Sequence, residues 1–244
     1  MEKILMLYYP LLDPVMTDPD AVLWAYYRHG CRIIEVALPY ENPVLDGETV
    51  RASMARILKK SDIGQMFAAI RRTKATHPYI KVQIMSYIEV IESMGYEVFA
   101  DLCKESHVDY VLAPNASARQ LGRLDQVFAV RYKIPVIRFI PYADQGDLLK
   151  KAMTGQGYLF LQSGDAKSGG YQEIGEGLKT RIAYLRKHKI ELPVIVGFGI
   201  KSYEQIRACH QCGADGVAVG SSLICYIAEG KTDEYLASLT GMTD

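Results

Sequence analysis

Short apolar segments rich in β-branched residues alternate with segments of helical periodicity along the whole chain. Eight segments are predicted to be strands, at residues 4–9, 32–36, 81–85, 110–113, 136–140, 158–162, 194–197 and 216–219. Helices are predicted between them, at residues 20–29, 63–73, 98–106, 121–132, 147–153, 177–187 and 202–211. A closed parallel barrel requires about eight such strand–helix units, each of roughly 30 residues. We therefore predict a (β/α)8 TIM barrel that forms one domain over residues 1–244. An open, doubly wound sheet is the alternative, although it rarely needs so many regular units.

The charge balance narrows the classes of partner. The chain has 28 Lys and Arg residues against 28 Asp and Glu residues, so it lacks the excess of positive charge typical of proteins that bind nucleic acid or anionic membranes. Apolar runs stay well short of the roughly 20 residues of a membrane span, and the amino-terminal residues lack the layout of a signal peptide. We expect a cytoplasmic protein whose partners are a small molecule or another protein.

The cysteines do not predict a disulfide framework or a metal site. Five cysteines are scattered through the chain, an odd number in a large sequence. Cys209 and Cys212 have a spacing that is found in metal sites, but zinc needs about four ligands and the sequence shows no second group of Cys or His with such a spacing. The helical periodicity instead predicts that Ile206 and Cys209 pack inward, so we expect no metal.

The segment from Arg32 to Thr49 carries two acidic residues of interest. Glu35 interrupts an apolar run that is otherwise typical of a strand buried on both faces. A buried unpaired charge costs several kcal/mol, so Glu35 has either a structural partner or a chemical role. Asp46 follows in the next loop, where an Asp-Gly pair is also common in turns. On a strand and the loop after it, the two carboxylates can face one ligand.

Glycine clusters follow the sixth, seventh and eighth predicted strands. The seventh ends in Gly197-Phe198-Gly199, and the eighth in Gly220-Ser221 before a short apolar helix. The segment 163–170 is polar and glycine-rich, as expected of a mobile loop that closes over a ligand. Tight turns explain each cluster singly. Together, at strand ends where barrels commonly hold phosphate, they predict phosphate binding by backbone amides and a helix N-terminus.

Two of these motifs give the chain a family resemblance. The run Glu35-Val-Ala-Leu-Pro-Tyr-Glu-Asn-Pro-Val-Leu-Asp46-Gly and the element Gly197-Phe-Gly-Ile200 resemble the signatures of the tryptophan synthase α subunit family. Weaker likeness extends over most of the chain. The resemblance implies a (β/α)8 barrel that cleaves indole-3-glycerol phosphate to indole and glyceraldehyde 3-phosphate, without a cofactor.

The resemblance also implies roles for individual residues. Glu35 matches the catalytic acid–base group, and Asp46 matches the aspartate that holds the indole N–H. The resemblance places three aromatic residues in the substrate pocket: Tyr8, Tyr87 and Phe160. It assigns the backbone amides that bind phosphate to Gly169, Gly199, Gly220 and Ser221. The chemistry suits these groups, because a buried carboxyl with a pKa near neutrality can protonate indole C3 and accept a hydroxyl proton.

Several positions depart from the family pattern. Asn42 and Glu48 change the loop that faces the pyridoxal-phosphate β subunit in the family, while Phe160 and Asn115 replace an expected tyrosine and aspartate. Because Glu48 replaces a proline, we expect a freer loop and activity that a β subunit stimulates. A stand-alone lyase, acting on this or a related phosphorylated substrate, and a phosphate-binding barrel serving as a non-catalytic subunit remain as alternatives.

Overall fold

The fold is a closed barrel of eight parallel strands in sequential order. The computed structural model describes residues 3–143, 146–164 and 174–241. Each strand pairs with its neighbours along the chain, and β1 closes the barrel against β8. The strands are β1 (Ile4–Tyr8), β2 (Cys31–Ala37), β3 (Lys81–Met85), β4 (Tyr110–Leu112), β5 (Val136–Ile140), β6 (Leu159–Gln162), β7 (Val194–Gly197) and β8 (Gly216–Val219). The predicted fold class is confirmed.

Helices follow every strand and cover the outside of the barrel. In the described part of the chain they are α1 (Pro19–Arg28), α2 (Glu48–Leu58), α3 (Ile63–Thr76), α4 (Ile88–Met94), α5 (Tyr96–Glu105), α6 (Ala118–Leu124), α7 (Leu148–Met153), α8 (Glu176–Lys187), α9 (Tyr203–Gln211), α10 (Ser221–Ala228) and α11 (Thr232–Thr240). A π-helical segment, Asp125–Arg131, continues α6. None of the described helices is long and apolar enough to cross a membrane.

The predicted strands agree with the observed ones to within about one residue, but the helix prediction is incomplete. Helices α2, α4 and α11 were not predicted. The periodicity of α2 is nevertheless present, because Val50, Ser53, Met54 and Ile57 are its buried positions. The predicted single helix at 121–132 is divided where Asp125 starts the wider π turn. There Asp125 forms an ion pair with the buried Arg138 on β5.

Two aspartates brace the bottom of the barrel in the same way. Asp109, before β4, accepts hydrogen bonds from the backbone N–H of Val82 at 2.8 Å and from Lys74 Nζ at 2.8 Å. Asp215, before β8, accepts from the N–H of Val194 at 2.8 Å and from Arg186 Nη2 at 2.5 Å. Each carboxylate thus ties a strand to the strand and helix before it. The catalytic chemistry of such barrels lies at the opposite end.

Closure of the barrel depends on close approach between β8 and β1. Gly216 lies opposite Ile4 in the strand pairing. A Cβ atom at Gly216 would lie 2.6 Å from both the Cβ atom and the carbonyl oxygen of Ile4. Backbone cannot move aside as a flexible side chain can, so a side chain here would push the two strands apart.

We expect Gly216→Ala to lower the free energy of unfolding by about 1–3 kcal/mol through overpacking at this seam. Gly122→Ala is the matched control, because a Cβ atom at Gly122 on α6 meets nothing within 4 Å and alanine favours a helix by about 0.5–1 kcal/mol over glycine. Urea unfolding followed by circular dichroism measures both variants. Equal stability of Gly216→Ala and the wild type would contradict the role given to this glycine.

Candidate active site

A cavity of about 260 Å³ opens at the carboxyl ends of the strands. Its walls include Glu35 and Asp46 on one side, and the glycine-rich ends of β7 and β8 on another. Apolar side chains line much of the remaining wall, among them Met85, Leu112, Phe139, Phe160 and Phe198. A ligand that fits the cavity therefore combines an apolar part with polar groups.

Glu35 lies inside the barrel because of the strand register. It pairs with Tyr8 on β1 and with Gln83 on β3, so the three residues lie side by side across adjacent strands. Gln83 Nε2 donates a 2.5 Å hydrogen bond to Glu35 Oε2, and Tyr158 Oη donates to Gln83 Oε1. Burial raises the pKa of Glu35 to about 7, with the Gln83 hydrogen bond opposing the rise and the nearby Asp46 adding to it. Glu35 can therefore exchange a proton near neutral pH.

Asp46 is held in place by Tyr87, which follows β3. Tyr87 Oη donates a 2.8 Å hydrogen bond to Asp46 Oδ2 and accepts one of 3.0 Å from the N–H of Leu45. Burial raises the pKa of Asp46, while the hydrogen bond from Tyr87 and the charge of Arg51 lower it. Tyr87 itself is buried, stacks on Tyr40 with ring centroids 5.1 Å apart, and orients Asp46 from behind.

Helix α2 is anchored by a third acid, Asp13, in the loop after β1. Arg56 binds both carboxylate oxygens of Asp13, at 2.8 and 2.6 Å, and Ser53 Oγ donates to Oδ2 at 2.5 Å. Burial alone would raise the pKa of Asp13, but the hydrogen bonds from Arg56 and Ser53 outweigh it, and the pKa lies below its usual value. Asp13 is therefore ionised and structural. Its contacts fix α2, whose first residues follow Asp46.

The glycine-rich side of the cavity is formed by the ends of β7 and β8. Gly199 has a φ angle of 73°, which glycine adopts without strain. Gly220 caps α10 and lines the cavity, and a Cβ atom there would meet nothing within 4 Å. Tyr235 on α11 connects the loop after β7 to the first turn of α10, since its Oη lies 3.1 Å from the carbonyl oxygen of Lys201 and 2.7 Å from Ser222 Oγ.

The aromatic wall is built on the fifth, sixth and seventh strands. Phe198 packs against Phe139 and Phe160, with ring centroids 5.4 and 6.2 Å apart. Its φ angle of 72° is unusual for a residue with a side chain. Ser163 Oγ donates a 2.5 Å hydrogen bond to the carbonyl oxygen of Phe198 and so helps hold this conformation. The ring of Phe198 consequently faces the cavity.

Most predicted site residues meet at this one cavity. Its walls include Glu35, Asp46, Tyr8, Phe160, Gly199, Gly220 and Ser221. Tyr87 lies behind Asp46 and is absent from the walls. Gly169 and most of the predicted loop 163–170 lie outside the described residues. The prediction that Ile206 and Cys209 pack inward is confirmed, and no group of three or more potential metal ligands occurs among the residues that the structure describes.

Sequence reasoning missed several residues of the site. The sequence could have pointed to Phe198, because it lies between the two glycines of a cluster that was predicted to bind phosphate. Gln83 and Tyr158 could have been found as polar positions in otherwise apolar strands, the signal that singled out Glu35. Arg56 carried no sequence signal, because its partner Asp13 is 43 residues away along the chain.

Comparisons with known proteins agree with this geometry. The model of the family described as "Tryptophan synthase alpha chain" matches residues 2–240. Among curated relatives, the tryptophan synthase alpha chain of Helicobacter pylori is 31% identical over 91% of this chain and 84% of its own length. That of Marinobacter nauticus is 29% identical over 95% of this chain and 85% of its own.

Solved structures share the fold at lower sequence identity. The alpha subunit of tryptophan synthase from Legionella pneumophila has a TM-score of 0.80 at 22% identity, covering 98% of this chain and 92% of the other. A mutant alpha subunit from Pyrococcus furiosus has a TM-score of 0.83 at 23% identity, covering 99% and 100% of the two chains. At these identities the structural likeness shows the fold, while the match of the family model over residues 2–240 shows the family.

Proposed function

The chain belongs to the tryptophan synthase alpha chain family, lyases of tryptophan biosynthesis that cleave indole-3-glycerol phosphate, and we propose that Glu35 and Asp46 carry out this cleavage in the cavity described above. The observation that carries the proposal is the environment of Glu35. Its carboxyl group lies in the cavity wall with a pKa of about 7, so both protonation states are populated near neutral pH. The products are indole and glyceraldehyde 3-phosphate.

The proposed reaction needs one group that gives a proton and takes one back. Protonated Glu35 delivers its proton to indole C3, which places positive charge on the ring nitrogen. The carboxylate of Asp46 stabilises that charge through the indole N–H. Glu35 then accepts the proton of the glycerol hydroxyl next to C3, and the hydroxyl oxygen becomes the aldehyde oxygen as the carbon–carbon bond to C3 breaks. The electron pair of the broken bond returns to the indole ring. The cycle leaves Glu35 protonated again and requires no cofactor.

The remaining walls support binding of such a substrate. In our proposal Phe160, Phe198 and Tyr8 contact the faces and edge of the indole ring, and Tyr87 acts through Asp46. The backbone amides of Gly199, Gly220 and Ser221 bind the phosphate beside the N-terminus of α10, whose partial positive charge favours an anion. Gly169 is part of this proposed phosphate site on the family resemblance.

The proposal also includes a protein partner and a location in the cell. Glu41, Asn42 and Val44 are exposed on the loop before α2, and Glu48 is exposed at the start of that helix. This segment therefore presents an apolar side chain among acidic ones. We propose that a pyridoxal-phosphate β subunit binds here and receives the indole, as in the family resemblance. The phosphorylated substrate and the biosynthetic role favour a cytoplasmic location.

We expect Glu35→Gln to reduce kcat for indole formation by about 10²–10⁴, the usual contribution of a general acid–base group. Glutamine keeps the size of the side chain but cannot exchange the proton. Steady-state release of indole from indole-3-glycerol phosphate at pH 7 measures the effect. Turnover close to that of the wild type would remove Glu35 from the mechanism.

The same variant supplies its own control for folding. Because the pKa of Glu35 is raised from 4.5 to about 7 on folding, its ionisation opposes folding, and stability falls as pH rises between these values. Glutamine stays neutral, so Glu35→Gln should be more stable than the wild type at pH 8 by up to about 3 kcal/mol, with little difference at pH 4. Lost activity in a stabilised protein cannot result from unfolding.

We expect Gly220→Val to weaken binding of glycerol 3-phosphate at least about tenfold, because the added methyl groups enter the space in front of the α10 amides. Isothermal titration calorimetry measures the affinity. Ala228→Val on the exposed last turn of the same helix is the control and should bind as the wild type does. Unchanged affinity of Gly220→Val would mean that the phosphate binds elsewhere.

We expect a β subunit to stimulate indole formation, up to about 10²-fold where it improves the placement of Asp46. Titration of the cognate β subunit, with complex formation followed by sedimentation, measures this. Glu41→Lys with Glu48→Lys should raise the β-subunit concentration needed, whereas Glu191→Lys, just before β7 at the opposite end of the barrel, should not. A flat titration without complex would favour the stand-alone lyase.

A further inference from the structure

Two buried polar side chains behind Glu35 form a chain of hydrogen bonds that the reaction described above does not use. Tyr158, the residue just before β6, donates to Gln83 Oε1, and Gln83 Nε2 donates to Glu35 Oε2 at 2.5 Å. Gln83 is 0% exposed and Tyr158 is 2% exposed. Polar groups in such a position cost free energy unless they are paired, and here each one pairs with the next across the inside of the barrel.

We infer that the Tyr158–Gln83 pair is a positioning device, which determines that the proton transferred by Glu35 is carried on Oε1, the oxygen not bonded to Gln83. This inference rests on the proposed function for the identity of the reaction. It adds two residues that act through Glu35 without touching the substrate.

The argument begins with the donor at Oε2. A neutral carboxyl group has one carbonyl-type oxygen, which accepts hydrogen bonds well, and one hydroxyl oxygen, which carries the proton. Because the amide N–H of Gln83 points at Oε2, the neutral acid is most stable with Oε2 as the acceptor and the proton on Oε1. The proton is then on one defined oxygen, Oε1, which faces the substrate. This matters because proton transfer requires hydrogen-bond geometry between the acid and the atom that receives the proton.

The orientation of the Gln83 amide is set in turn by Tyr158. If the amide were rotated by 180°, its carbonyl oxygen would face the carboxylate of Glu35, and its NH₂ group would face the phenol oxygen. The first contact is repulsive when Glu35 is ionised. The second would leave the buried O–H of Tyr158 without Gln83 as its acceptor, a loss that costs free energy. Tyr158 therefore locks Gln83 in the orientation that serves Glu35.

The charges around Glu35 allow the effect to be isolated. Among the described residues, the titratable groups that interact with it are Tyr8 on β1, Asp46 after β2 and Tyr158 just before β6. Burial raises the pKa of Tyr8 and of Tyr158 well above the usual value, so both remain neutral through the range in which Glu35 titrates. Asp46 is common to all variants proposed below.

The test is the pKa of Glu35, measured by NMR titration of protein labelled with ¹³C at glutamate carboxyl groups and assigned with Glu35→Gln. Gln83→Met keeps the length of the side chain but removes the donor, and should raise the pKa of Glu35 by about one unit. Tyr158→Phe frees the amide to rotate and should raise it less. Tyr110→Phe is the control, because Tyr110 packs edge-on against Tyr158 with ring centroids 5.2 Å apart but is not one of the residues in this series of hydrogen bonds.

Activity gives a second readout. For Gln83→Met we expect the basic limb of the kcat profile, where Glu35 loses the proton with which the reaction starts, to move to higher pH with KM nearly unchanged, and kcat at its maximum to fall about tenfold. The double variant Gln83→Met with Tyr158→Phe leaves neither polar group unpaired, so it should fold even if the single variant does not, and should show the same pKa shift. An unchanged Glu35 pKa in that double variant would overturn the inference.

The two measurements separate this inference from the proposed function. Wild-type protein that does not release indole would contradict the lyase proposal, and the NMR titration would still decide whether Gln83 and Tyr158 control Glu35. Conversely, normal lyase activity with a Glu35 pKa that is insensitive to both substitutions would contradict the positioning role alone.

Discussion

Glu35 lies inside the barrel because β2 pairs with β1 and β3 in a register that brings Tyr8, Glu35 and Gln83 side by side. Burial of its carboxyl group opposes ionisation, and the hydrogen bond from Gln83 opposes that effect in part. A fully unpaired carboxyl would have a pKa raised further by burial, and one paired with a cation would have a lowered pKa. An amide donor lies between these extremes, and it keeps Glu35 able to exchange protons near neutral pH.

The three acids at this end of the barrel differ because their surroundings differ. Asp13 receives both nitrogens of Arg56 and stays ionised as a support for α2. Asp46 receives the neutral hydroxyl of Tyr87, beside the charge of Arg51. Glu35 receives the amide of Gln83. The environment thus lowers the pKa of one acid, which supports α2, and raises the pKa of the two acids to which we propose catalytic roles.

The cavity combines two polar regions with a cluster of aromatic rings. Phe139, Phe160 and Phe198 pack together and line the same cavity as the two acids and the glycine-rich loops. The rings offer an apolar surface to a ligand whose polar groups reach the acids and the start of α10. Tyr235, on the last helix, links the loop after β7 to the first turn of α10. The shape of the proposed phosphate site therefore depends on α11, far along the chain from the acids.

The sequence by itself determined the strands, the barrel and the main acids. Strand periodicity is a local property, and eight apolar runs separated by helical ones have few ways to close. Glu35 was visible as a charge in an apolar strand, and Gly199 and Gly220 were visible as glycines at strand ends. Even the missed helix α2 has its apolar spacing written in the chain. These features need no knowledge of distant contacts.

Tertiary structure alone decided what each polar group does. The pairing of Arg56 with Asp13, and of Tyr158 with Gln83, joins residues that are 43 and 75 positions apart. No local pattern predicts such pairs, because their members meet only when the barrel closes and the helices pack around it. The same packing directs the hydroxyl of Tyr87, after β3, toward Asp46. The pKa of Glu35 follows from these contacts, since burial and hydrogen bonding exist only in the folded chain.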